Sequence, residues 1–364
     1  MKILILMNSS DGLYLFRKEL IERLVEEYEV YFAGPDDGYV EELEKIGASY
    51  IPLYFNRHGM NPISEISLLF KYCQTLKKIQ PSAVLTYTIK PNIYGGVACT
   101  LQGIPYITNI TGLGTAVEYP GIKQRISLFL YRLGLRKSSM VLFQNSENSD
   151  FILNKNDILG PYDLLPGSGV NLKKFKVEKY PDDEEINFVF ISRLMKEKGI
   201  DQYLDAAKVI HTKYPNTVFN VCGPIEPEYD RSKLDELISS KTIIYHGIVK
   251  DVNAIHKFSN CTIHPTYYPE GLSNVLLESC ACGRPIITTN RSGCREVLED
   301  GVNGLCIKEK DSNDLIAKIE QFLAMSSADK KKMGLAGRYK VEKEFDRQIV
   351  VTKYISLLQK LLVF

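Results

Sequence analysis

Residues 261–289 read CTIHPTYYPEGLSNVLLESCACGRPIITT, and this stretch decides the fold. The apolar segment Cys261–His264 is typical of a short buried strand, Ser273–Cys282 is typical of a helix, and Pro285–Thr288 is typical of the next strand. Gly283 follows the helix at a position where glycine commonly ends one. The stretch therefore predicts a βα unit followed by a strand, which is the building block of a parallel sheet.

The loop Pro265–Leu272 and the start of the helix have the features of a phosphate site. Ser273 is placed to cap the helix, so the N–H groups of the first turn, at the positive end of the helix dipole, face beyond the strand end. Glu270 precedes this point and Glu278 lies one turn inside the helix, so two carboxylates bracket it and can accept hydrogen bonds from sugar or ribose hydroxyls. A nucleotide-sugar fits this combination. The plainer interpretation is an ordinary capped helix in an α/β protein.

Composition limits the class of protein. The chain has 364 residues, with 45 basic and 44 acidic side chains, so its length favours two domains and its charge balance gives no argument for nucleic acid as a partner. The eight cysteines form no C-x-x-C pair and lie mostly in apolar runs, which favours reduced structural thiols. The apolar opening Met1–Met7 is shorter than the core of a signal peptide. We therefore expect a cytoplasmic protein.

Short apolar strands alternate with amphipathic helices in both halves of the chain, which predicts mostly parallel sheets covered on both faces. The predicted strands are Lys2–Met7, Glu29–Ala33, Tyr50–Leu53, Ala83–Thr88, Met140–Gln144, Asp163–Leu165, Ile186–Ile191, Thr217–Cys222 and Ile243–His246, with those quoted above. The predicted helices are Leu15–Glu27, Tyr39–Ile46, Ile63–Ile79, 122–137, one from Ser146, Ile200–Lys213, Asp251–Phe258, Asn313–Met325, Ala328–Glu344 and Gln348–Leu362. A Gly/Pro-rich run, Pro166–Asn171, and a polar run, Tyr180–Glu185, place the domain boundary near residues 167–185.

Loops at the carboxyl ends of the strands supply further candidates, because parallel sheets bind ligands there. Glycines in two of these loops allow a backbone to approach a substrate closely, although plain turns use the same residues. Lys90 stands beside Pro91 at a predicted helix start, where its charge opposes the helix dipole unless an anion lies nearby. It is therefore a candidate phosphate contact. The candidates of the first half are Gly12, Arg57, His58, Lys90, Thr111 and Gly112. For Lys90 the alternative is an ordinary surface lysine, and for Arg57 and His58 a solvated loop is the more common explanation.

Two segments are rich in cations. Residues 122–137, IKQRISLFLYRLGLRK, predict an amphipathic helix whose basic flank suits an anionic membrane surface, while packing on the sheet is the alternative; the two are compatible. In the run Ser192–Gly199, Arg193 leaves a strand end and Lys198 precedes a helix, so a guanidinium and an ammonium can converge on a diphosphate. A solvated charged loop is the alternative for this run.

Taken together, these motifs resemble the donor-binding signature of the family-4 retaining glycosyltransferases. The resemblance is carried by the E-x7-E run Glu270–Glu278, the following ACGRPIITT, the G-C-R-E run Gly293–Glu296 and the R-x4-K-G run ending at Gly199. It implies an α/β chain with the GT-B fold, in which two doubly wound Rossmann-like domains face a cleft and the C-terminal helix crosses back to the first domain. Residues 1–170, joined by helix 346–364, would bind the acceptor, and residues 171–345 would bind the nucleotide-sugar donor.

The resemblance also implies roles for single residues. Arg193 and Lys198 would bind the donor's phosphates, Glu270 the hydroxyls of the donor sugar, and Glu278 the ribose. Where many members carry paired glycines near the N-terminus, this chain has Ser9-Ser10-Asp11-Gly12, which leaves the contact of the first domain with the donor phosphates open. The implied donor-binding set is Gly12, Gly271, Leu272, Ser273, Asn274 and Glu278, with Arg193, Lys198 and Glu270 as the catalytic set.

The segments TIKPNIYGGVA, GIP and TGLG resemble the subgroup that extends sugars on a polyprenyl-diphosphate carrier for bacterial capsule, O-antigen and N-glycan precursors. This implies transfer of a hexosyl or N-acetylhexosaminyl unit from a UDP-sugar, with retention, to a lipid-linked or free glycan at the inner face of the cell membrane. No D-x-D sequence occurs, so cations replace the metal clamp of the other large glycosyltransferase fold, and neither metal nor cofactor is expected.

Other functions compete with this interpretation. A UDP-N-acetylhexosamine 2-epimerase shares the two-domain architecture and also grips UDP, but it would interconvert sugars without an acceptor. A two-lobed binding protein is less favoured because no export signal is recognisable. A hydrolase with Glu270 and Glu278 as its acid and base is disfavoured, since a nucleotide-phosphate cradle would then have no purpose.

Overall fold

The chain folds into two units. The computed structural model describes residues 1–56, 59, 61–114, 117, 120–156, 160–181 and 184–362. The first unit comprises Met1–Gly169, Glu270–Leu272 and Arg347–Phe364, and the second comprises Val170–Pro269 and Ser273–Asp346. The chain thus leaves the first unit near Gly169, returns to it briefly at Glu270–Leu272, and returns again for the C-terminal helix.

Within the described residues, the first unit is built on a seven-stranded parallel sheet in the order β3-β2-β1-β4-β5-β6-β7. Its strands are β1 Lys2–Leu6, β2 Glu29–Gly34, β3 Ser49–Pro52, β4 Ala83–Tyr87, β5 Tyr106–Ile110, β6 Met140–Phe143 and β7 Tyr162–Leu164. Its helices are α1 Ser10–Val25, α2 Val40–Lys45, α3 Pro62–Ile79, α4 Gly96–Gln102, α5 Ile122–Leu135, α6 Ser146–Asn156 and, after the second unit, α13 Arg347–Leu362. A π-helical turn, Pro91–Gly95, precedes α4.

Helices cover both faces of this sheet, as its near-continuous apolar strands require. Apolar side chains of α1 and α13 pack on one face, and those of α3, α4 and α5 pack on the other. At the start of α13, Arg347 Nη1 lies 2.8 Å from Glu19 Oε2 in a largely buried ion pair. The prediction that the C-terminal helix returns to the first domain is therefore confirmed.

The second unit has six parallel strands among the described residues, in the order β10-β9-β8-β11-β12-β13. Its strands are β8 Ile186–Ile191, β9 Thr217–Cys222, β10 Ile243–Tyr245, β11 Cys261–His264, β12 Ile286–Thr289 and β13 Gly304–Ile307. Its helices are α7 Ile200–Lys213, α8 Ser232–Ser239, α9 Val252–Phe258, α10 Asn274–Ala281, α11 Ser312–Leu323 and α12 Ser327–Glu344. Two doubly wound α/β units are thus present, as the sequence predicts.

The predicted and observed elements differ at several places. Helix α1 begins at Ser10 rather than Leu15, because the Ser9 hydroxyl accepts a hydrogen bond from Gly12 N (3.1 Å) and caps the helix. The sequence analysis did not predict β5, α8 or β13. In β5, Thr108 and Asn109 look like loop residues, yet both are buried, and Asn109 Nδ2 donates to the Tyr354 hydroxyl at 2.7 Å. Internal hydrogen bonding thus allows polar residues in a central strand.

The cysteines behave as core residues. All eight are free, and six of them are buried. Burial raises the pKa of the Cys222, Cys280 and Cys282 thiols to about 12, so these three are protonated at neutral pH. This agrees with the prediction of structural thiols, since the thiolate is the reactive form.

The strand order places one switch point in each unit. In the first unit, β1 and β4 are neighbours and their outgoing connections run in opposite directions along the sheet; in the second unit, β8 and β11 are the corresponding pair. Ligands of open α/β sheets bind beyond the carboxyl ends of such strands. The loops after these four strands are therefore where the site residues are to be sought.

Candidate functional site

Two predicted cations of the second unit converge at its switch point. The loop after β8 carries Arg193 and Lys198, and the loop after β11 carries Tyr268. The Arg193 guanidinium carbon lies 6.0 Å from the centroid of the Tyr268 ring, and Lys198 Nζ lies 4.6 Å from the same centroid. Both charges thus lie near the same aromatic ring, where cation–π attraction favours them. Tyr268 is a site residue that the sequence analysis missed, although the Y-Y-P-E-G run contains it.

The two cations differ in exposure. The Arg193 side chain is 45% exposed, and its Nη1 lies 2.9 Å from Glu226 Oε1, which is an ion pair of the surface kind. Lys198 is only 9% exposed, so its ammonium is placed with little access to water. Arg193 can therefore exchange its carboxylate partner for an anionic ligand at small cost. The Lys198 side chain is held in a buried position beside Tyr268.

Gly199 ends the R-x4-K-G run for a steric reason. Its φ is 78°, and a Cβ at this position would lie 2.1 Å from the carbonyl oxygen of Pro265. The two loops are also joined by hydrogen bonds from Tyr267 N (2.8 Å) and Thr266 Oγ1 (3.2 Å) to the Glu197 carbonyl. The loop that carries Lys198 is thus packed directly on the loop that carries Tyr268.

Helix α10 begins beside these loops. Ser273 occupies the N-cap position, but its side chain makes no capping hydrogen bond, so the sequence-based prediction of its capping role is wrong. Its backbone N–H donates to the Gly293 carbonyl at 2.8 Å, and Gly293 N in turn donates to Glu296 Oε2 at 2.6 Å. Ser273 is 1% exposed, and its Oγ has no hydrogen-bond partner among the described residues. A buried hydroxyl at the positive end of a helix suits an anionic ligand.

The E-x7-E run is divided between the two units. Glu270, Gly271 and Leu272 belong to the first unit, while Ser273, Asn274 and Glu278 belong to the second. Glu278 is partly exposed in the second turn of α10. In the first unit, the Asn145 side chain binds the Glu270 and Gly271 carbonyls, with Nδ2–O distances of 3.1 and 2.6 Å. Asn145 is a second residue that the sequence analysis did not single out.

Arg284 of the ACGRPIITT run has a structural role. It is fully buried, and its guanidinium donates to four backbone carbonyls. The acceptors are His256, Lys257, Glu178 and Lys179, at 2.9 to 3.2 Å. This signature arginine therefore ties α9 to the segment that enters the second unit, and its donors are engaged with the backbone.

In the first unit, Gly12 lies in the first turn of α1 and not in a loop. Its N–H points to the Ser9 and Asp11 side chains, while Asp37 Oδ1 accepts from the backbone N–H groups of Ser10 (2.6 Å) and Asp11 (3.1 Å). A carboxylate of the chain itself thus neutralises the positive end of this helix. The aspartate was missed by the sequence analysis; it follows β2, in another strand-end loop.

Lys90 has an internal anion as its partner. Its Nζ lies 2.6 Å from Glu65 Oε1 and donates to the carbonyls of Asn56 (2.7 Å) and Gly59 (2.8 Å). The carboxylate accounts for a cation at the start of the π-helical turn, the position at which the sequence analysis expected an anion. Lys90 therefore ties the segment before α3 to the loop after β4.

The remaining candidates of the first unit lie at the same edge of the sheet or outside the described residues. Thr111 and Gly112 follow β5 and are partly exposed. A Cβ on Gly271 would lie 2.1 Å from the Thr111 carbonyl oxygen, so Thr111 lies directly against the E-x7-E run. Arg57 and His58 lie outside the described residues.

Helix α5 packs on the sheet and also exposes apolar side chains. Leu128, Tyr131 and Leu135 are buried in the core, as the packing interpretation predicts. The opposite face exposes Ile122 (77%), Ile126 (48%), Phe129 (60%) and Leu133 (39%) at helical spacing. The exposed basic residues beside them are Lys123, Arg125, Arg132, Arg136 and Lys137. Among the helices within the described ranges, none is both long and apolar enough to cross a membrane.

Comparison with known proteins gives the chain a family. The model of the family "Glycosyl transferase 4-like" matches residues 2–145, and that of "Glycosyl transferases group 1" matches residues 172–340. One model thus matches the chain before residue 170 and the other matches it after residue 170, and together they span most of its length.

Relatives and solved structures agree with these matches. The N,N'-diacetylbacillosaminyl-diphospho-undecaprenol alpha-1,3-N-acetylgalactosaminyltransferase of Campylobacter jejuni is 26% identical over 383 residues, covering 100% of this chain and 99% of the relative. The capsular polysaccharide biosynthesis glycosyltransferase CapM of Staphylococcus aureus is 24% identical, covering 96% of this chain and 94% of the relative. The crystal structure of Anabaena Alr3699/HepE in complex with UDP and glucose shares the fold, with a TM-score of 0.81 at 16% identity over 99% of this chain and 100% of that one. The chain belongs to the GT-B glycosyltransferases, with a first half of the glycosyl transferase 4-like family and a second half of the glycosyl transferases group 1 family.

Proposed function

We propose that this glycosyltransferase moves a hexosyl or N-acetylhexosaminyl unit from a UDP-sugar to a sugar on a polyprenyl-diphosphate carrier, with retention at the anomeric carbon. The observation that carries the proposal is the placement of Arg193 and Lys198 against Tyr268 at the switch point of the second unit. Two cations at the end of a parallel strand suit the diphosphate of a nucleotide donor.

The leaving group of such a donor is a nucleoside diphosphate, so the electrostatic task is to stabilise charge that develops on the phosphate. Arg193 and Lys198 supply two positive charges, and the start of α10, with Ser273 and Asn274, supplies a helix dipole. The Ser273 hydroxyl is buried and finds no hydrogen-bond partner in the part of the chain that the structure describes. It supports a polar ligand at this point, because buried hydroxyls are normally hydrogen-bonded. No metal ion is required for this arrangement.

The carboxylates take the roles that the resemblance assigns to them. Glu270, with Gly271 and Leu272, holds the donor sugar, and Glu278 on α10 holds the ribose. The acceptor falls to the strand-end loops of the first unit, with Thr111, Gly112, Arg57 and His58 as contact candidates. Lys90 contributes there through the segment it ties down, and Gly12 contributes through the start of α1.

The choice of a lipid-linked acceptor has two supports. The Campylobacter relative is named for a diphospho-undecaprenol acceptor, and the Staphylococcus relative is named for capsular polysaccharide. In this chain, the exposed apolar face of α5 with its basic flank suits the surface of an anionic membrane. Peripheral attachment through α5 would bring the first unit to a substrate that stays in the bilayer.

Incubation with radiolabelled UDP-sugars tests the reaction. In the presence of a polyprenyl-diphosphate-linked saccharide, label should pass to the lipid fraction, and nuclear magnetic resonance of the product should show the anomeric configuration of the donor. Inversion of the configuration would refute the retaining mechanism. Interconversion of UDP-sugars without an acceptor would instead identify an epimerase.

Vesicle flotation tests the membrane contact. The wild-type chain should float with vesicles that contain about a third anionic lipid and not with zwitterionic ones, because each basic residue near an anionic surface contributes about 1 kcal/mol. Phe129→Ser should weaken flotation. Leu15→Ser is the matched control, since Leu15 is 41% exposed on α1, which covers the opposite face of the sheet. Equal flotation of both variants and the wild type would refute a role for α5.

A further inference from the structure

Asn145 makes more contacts than its place in the chain requires. It lies at the start of α6, where its Oδ1 accepts a hydrogen bond from Asn148 N at 2.8 Å, as an N-cap residue does. Its Nδ2 donates to the carbonyls of Glu270 and Gly271, at 3.1 and 2.6 Å. The residue is 3% exposed. One buried amide thus caps a helix and holds a segment that is distant in sequence.

The cap alone does not explain an asparagine here. Serine, aspartate and asparagine serve about equally well as N-caps, because capping needs only an acceptor. Of these three, only asparagine adds an N–H₂ group that can donate to two carbonyls. The N–H₂ group of the Asn145 side chain therefore serves to bind the carbonyls of residues 270 and 271.

Steric contacts hold the same segment on its other sides. A Cβ on Gly271 would lie 2.1 Å from the Thr111 carbonyl oxygen and 2.5 Å from Gln144 Oε1. A Cβ on Gly167, whose φ is 62°, would lie 2.6 Å from Leu272 Cδ2. Glycine at 167 and 271 thus permits a close fit within the first unit, and this fit leaves little freedom to the Glu270 backbone.

The support extends behind Asn145. Gln144 Nε2 lies 3.3 Å from Asn109 Oδ1, and Asn109 Nδ2 donates to the hydroxyl of Tyr354 at 2.7 Å. Tyr354 is fully buried in α13. The residues around the 270–272 segment therefore rest on the core between the sheet and the C-terminal helix. The backbone of the 270–272 segment is therefore held in place before a ligand binds.

We propose that Asn145 is a positioning residue for the transfer reaction: by fixing the Glu270 and Gly271 carbonyls, it sets the direction in which the Glu270 carboxylate meets the donor sugar. The inference rests on the proposed function, in which Glu270 holds hydroxyls of that sugar. A misplacement of about 1 Å at a reacting centre can lower the rate on the order of 100-fold, so a residue that fixes this backbone matters to turnover without touching substrate.

Asn145→Asp tests the proposal with the cap preserved. The new carboxylate still accepts from Asn148 N, but it cannot donate, and it repels the two carbonyls. Asn61→Asp is the matched control, because Asn61 caps α3 by accepting from Ile63 N at 3.0 Å. We expect Asn145→Asp to lower kcat on the order of 10- to 100-fold and Asn61→Asp to stay within about 2-fold of the wild type. The Kd for UDP, which lacks the sugar, should be unchanged in both.

A double variant separates positioning from a general structural role. If Asn145 acts through Glu270, then Asn145→Asp should cost little once Glu270→Gln is present, since residues that act as one unit are not additive. Effects that multiply would overturn the proposal, and so would equal kcat values for Asn145→Asp and Asn61→Asp.

Hydrogen exchange gives a readout that needs no turnover. Peptides that span residues 268–273 should exchange faster in Asn145→Asp than in the wild type or Asn61→Asp, because the segment loses its two side-chain hydrogen bonds. Unchanged exchange would refute the positioning role. A wild-type chain that transfers no sugar from any UDP-sugar would refute the proposed function instead, so the two failures are distinguishable.

Discussion

Acid should destabilise this protein through one buried histidine. His256 in α9 is 0% exposed, and neither ring nitrogen has a hydrogen-bond partner among the described residues. Its ring contacts the ring of Phe175 edge-on, with centroids 6.4 Å apart. Burial, helped by the neighbouring Arg284 guanidinium, lowers the pKa of His256 from 6.5 to about 3. The imidazole is therefore neutral in the folded chain across the range in which an exposed histidine takes up a proton.

The sign and size of the effect follow from linkage. Below pH 6.5 the unfolded chain binds a proton at this residue and the folded chain does not, so the contribution to stability is complete above pH 6.5 and is lost as pH falls towards 3. At pH 5 the unfolded state gains RT ln(1 + 10^1.5), which is about 2 kcal/mol. This figure requires only that the folded-state pKa lie well below 5. A loss of about 2 kcal/mol is a large part of the 5 to 15 kcal/mol typical of folded proteins.

Urea unfolding at pH 7 and at pH 5, followed by circular dichroism because the chain has no tryptophan, measures the effect. His256→Phe should reduce the loss of stability between the two pH values by about 2 kcal/mol relative to the wild type. His211→Gln is the control, since His211 lies partly exposed at the end of α7, with Nδ1 2.8 Å from the Thr217 carbonyl. If His256→Phe kept the pH dependence of the wild type, the neutral state of the His256 imidazole in the folded chain would be refuted.

Three further predictions concern the site. Gly199→Ala should lower kcat and destabilise the fold by more than 1 kcal/mol, because a Cβ there meets Pro265 O and a positive φ alone costs about 1 kcal/mol outside glycine; a fully active, equally stable variant by thermal melts would contradict this. Arg193→Ala or Lys198→Ala should lower kcat on the order of 100-fold, while Glu278→Ala should chiefly raise the donor KM, as steady-state kinetics will show; three changes confined to KM would contradict it. Turnover should survive EDTA, and activity lost to EDTA and restored by Mn²⁺ would contradict metal independence.

Much of the fold could be predicted from the sequence because both sheets are parallel and buried. Such strands are short, apolar and separated by amphipathic helices, so each leaves a local pattern. One of the strands that were missed, β5, lacks this pattern. Strand β5 contains Thr108 and Asn109, whose burial depends on hydrogen bonds to Thr86 and to Tyr354. Partners so distant in sequence leave no local trace, and a polar strand then resembles a loop.

The candidate site was partly predictable for the same reason. Arg193 and Lys198 follow a strand end, and the strand order sets that end beside the loop with Tyr268. The sequence does not reveal, however, which charged side chains form ion pairs within the protein. Lys90 was a candidate phosphate contact because its cation opposes a helix dipole, and its anion is Glu65 of the same unit. The physical argument identified the need for an anion, but sequence alone could not supply its source.

The E-x7-E run shows why a motif's spacing does not locate its residues. Glu270 and Glu278 are close in sequence, yet the chain between them passes from the first unit to the second. The backbone position of Glu270 is set by Asn145 and by the close fit at Gly271. The position of Glu278 is set by helix α10. Substitutions that loosen the Asn145 contacts should therefore affect recognition of the sugar and leave recognition of the nucleotide intact. If the proposed roles hold, the two glutamates serve separable parts of donor recognition, because each is oriented by the unit in which it packs.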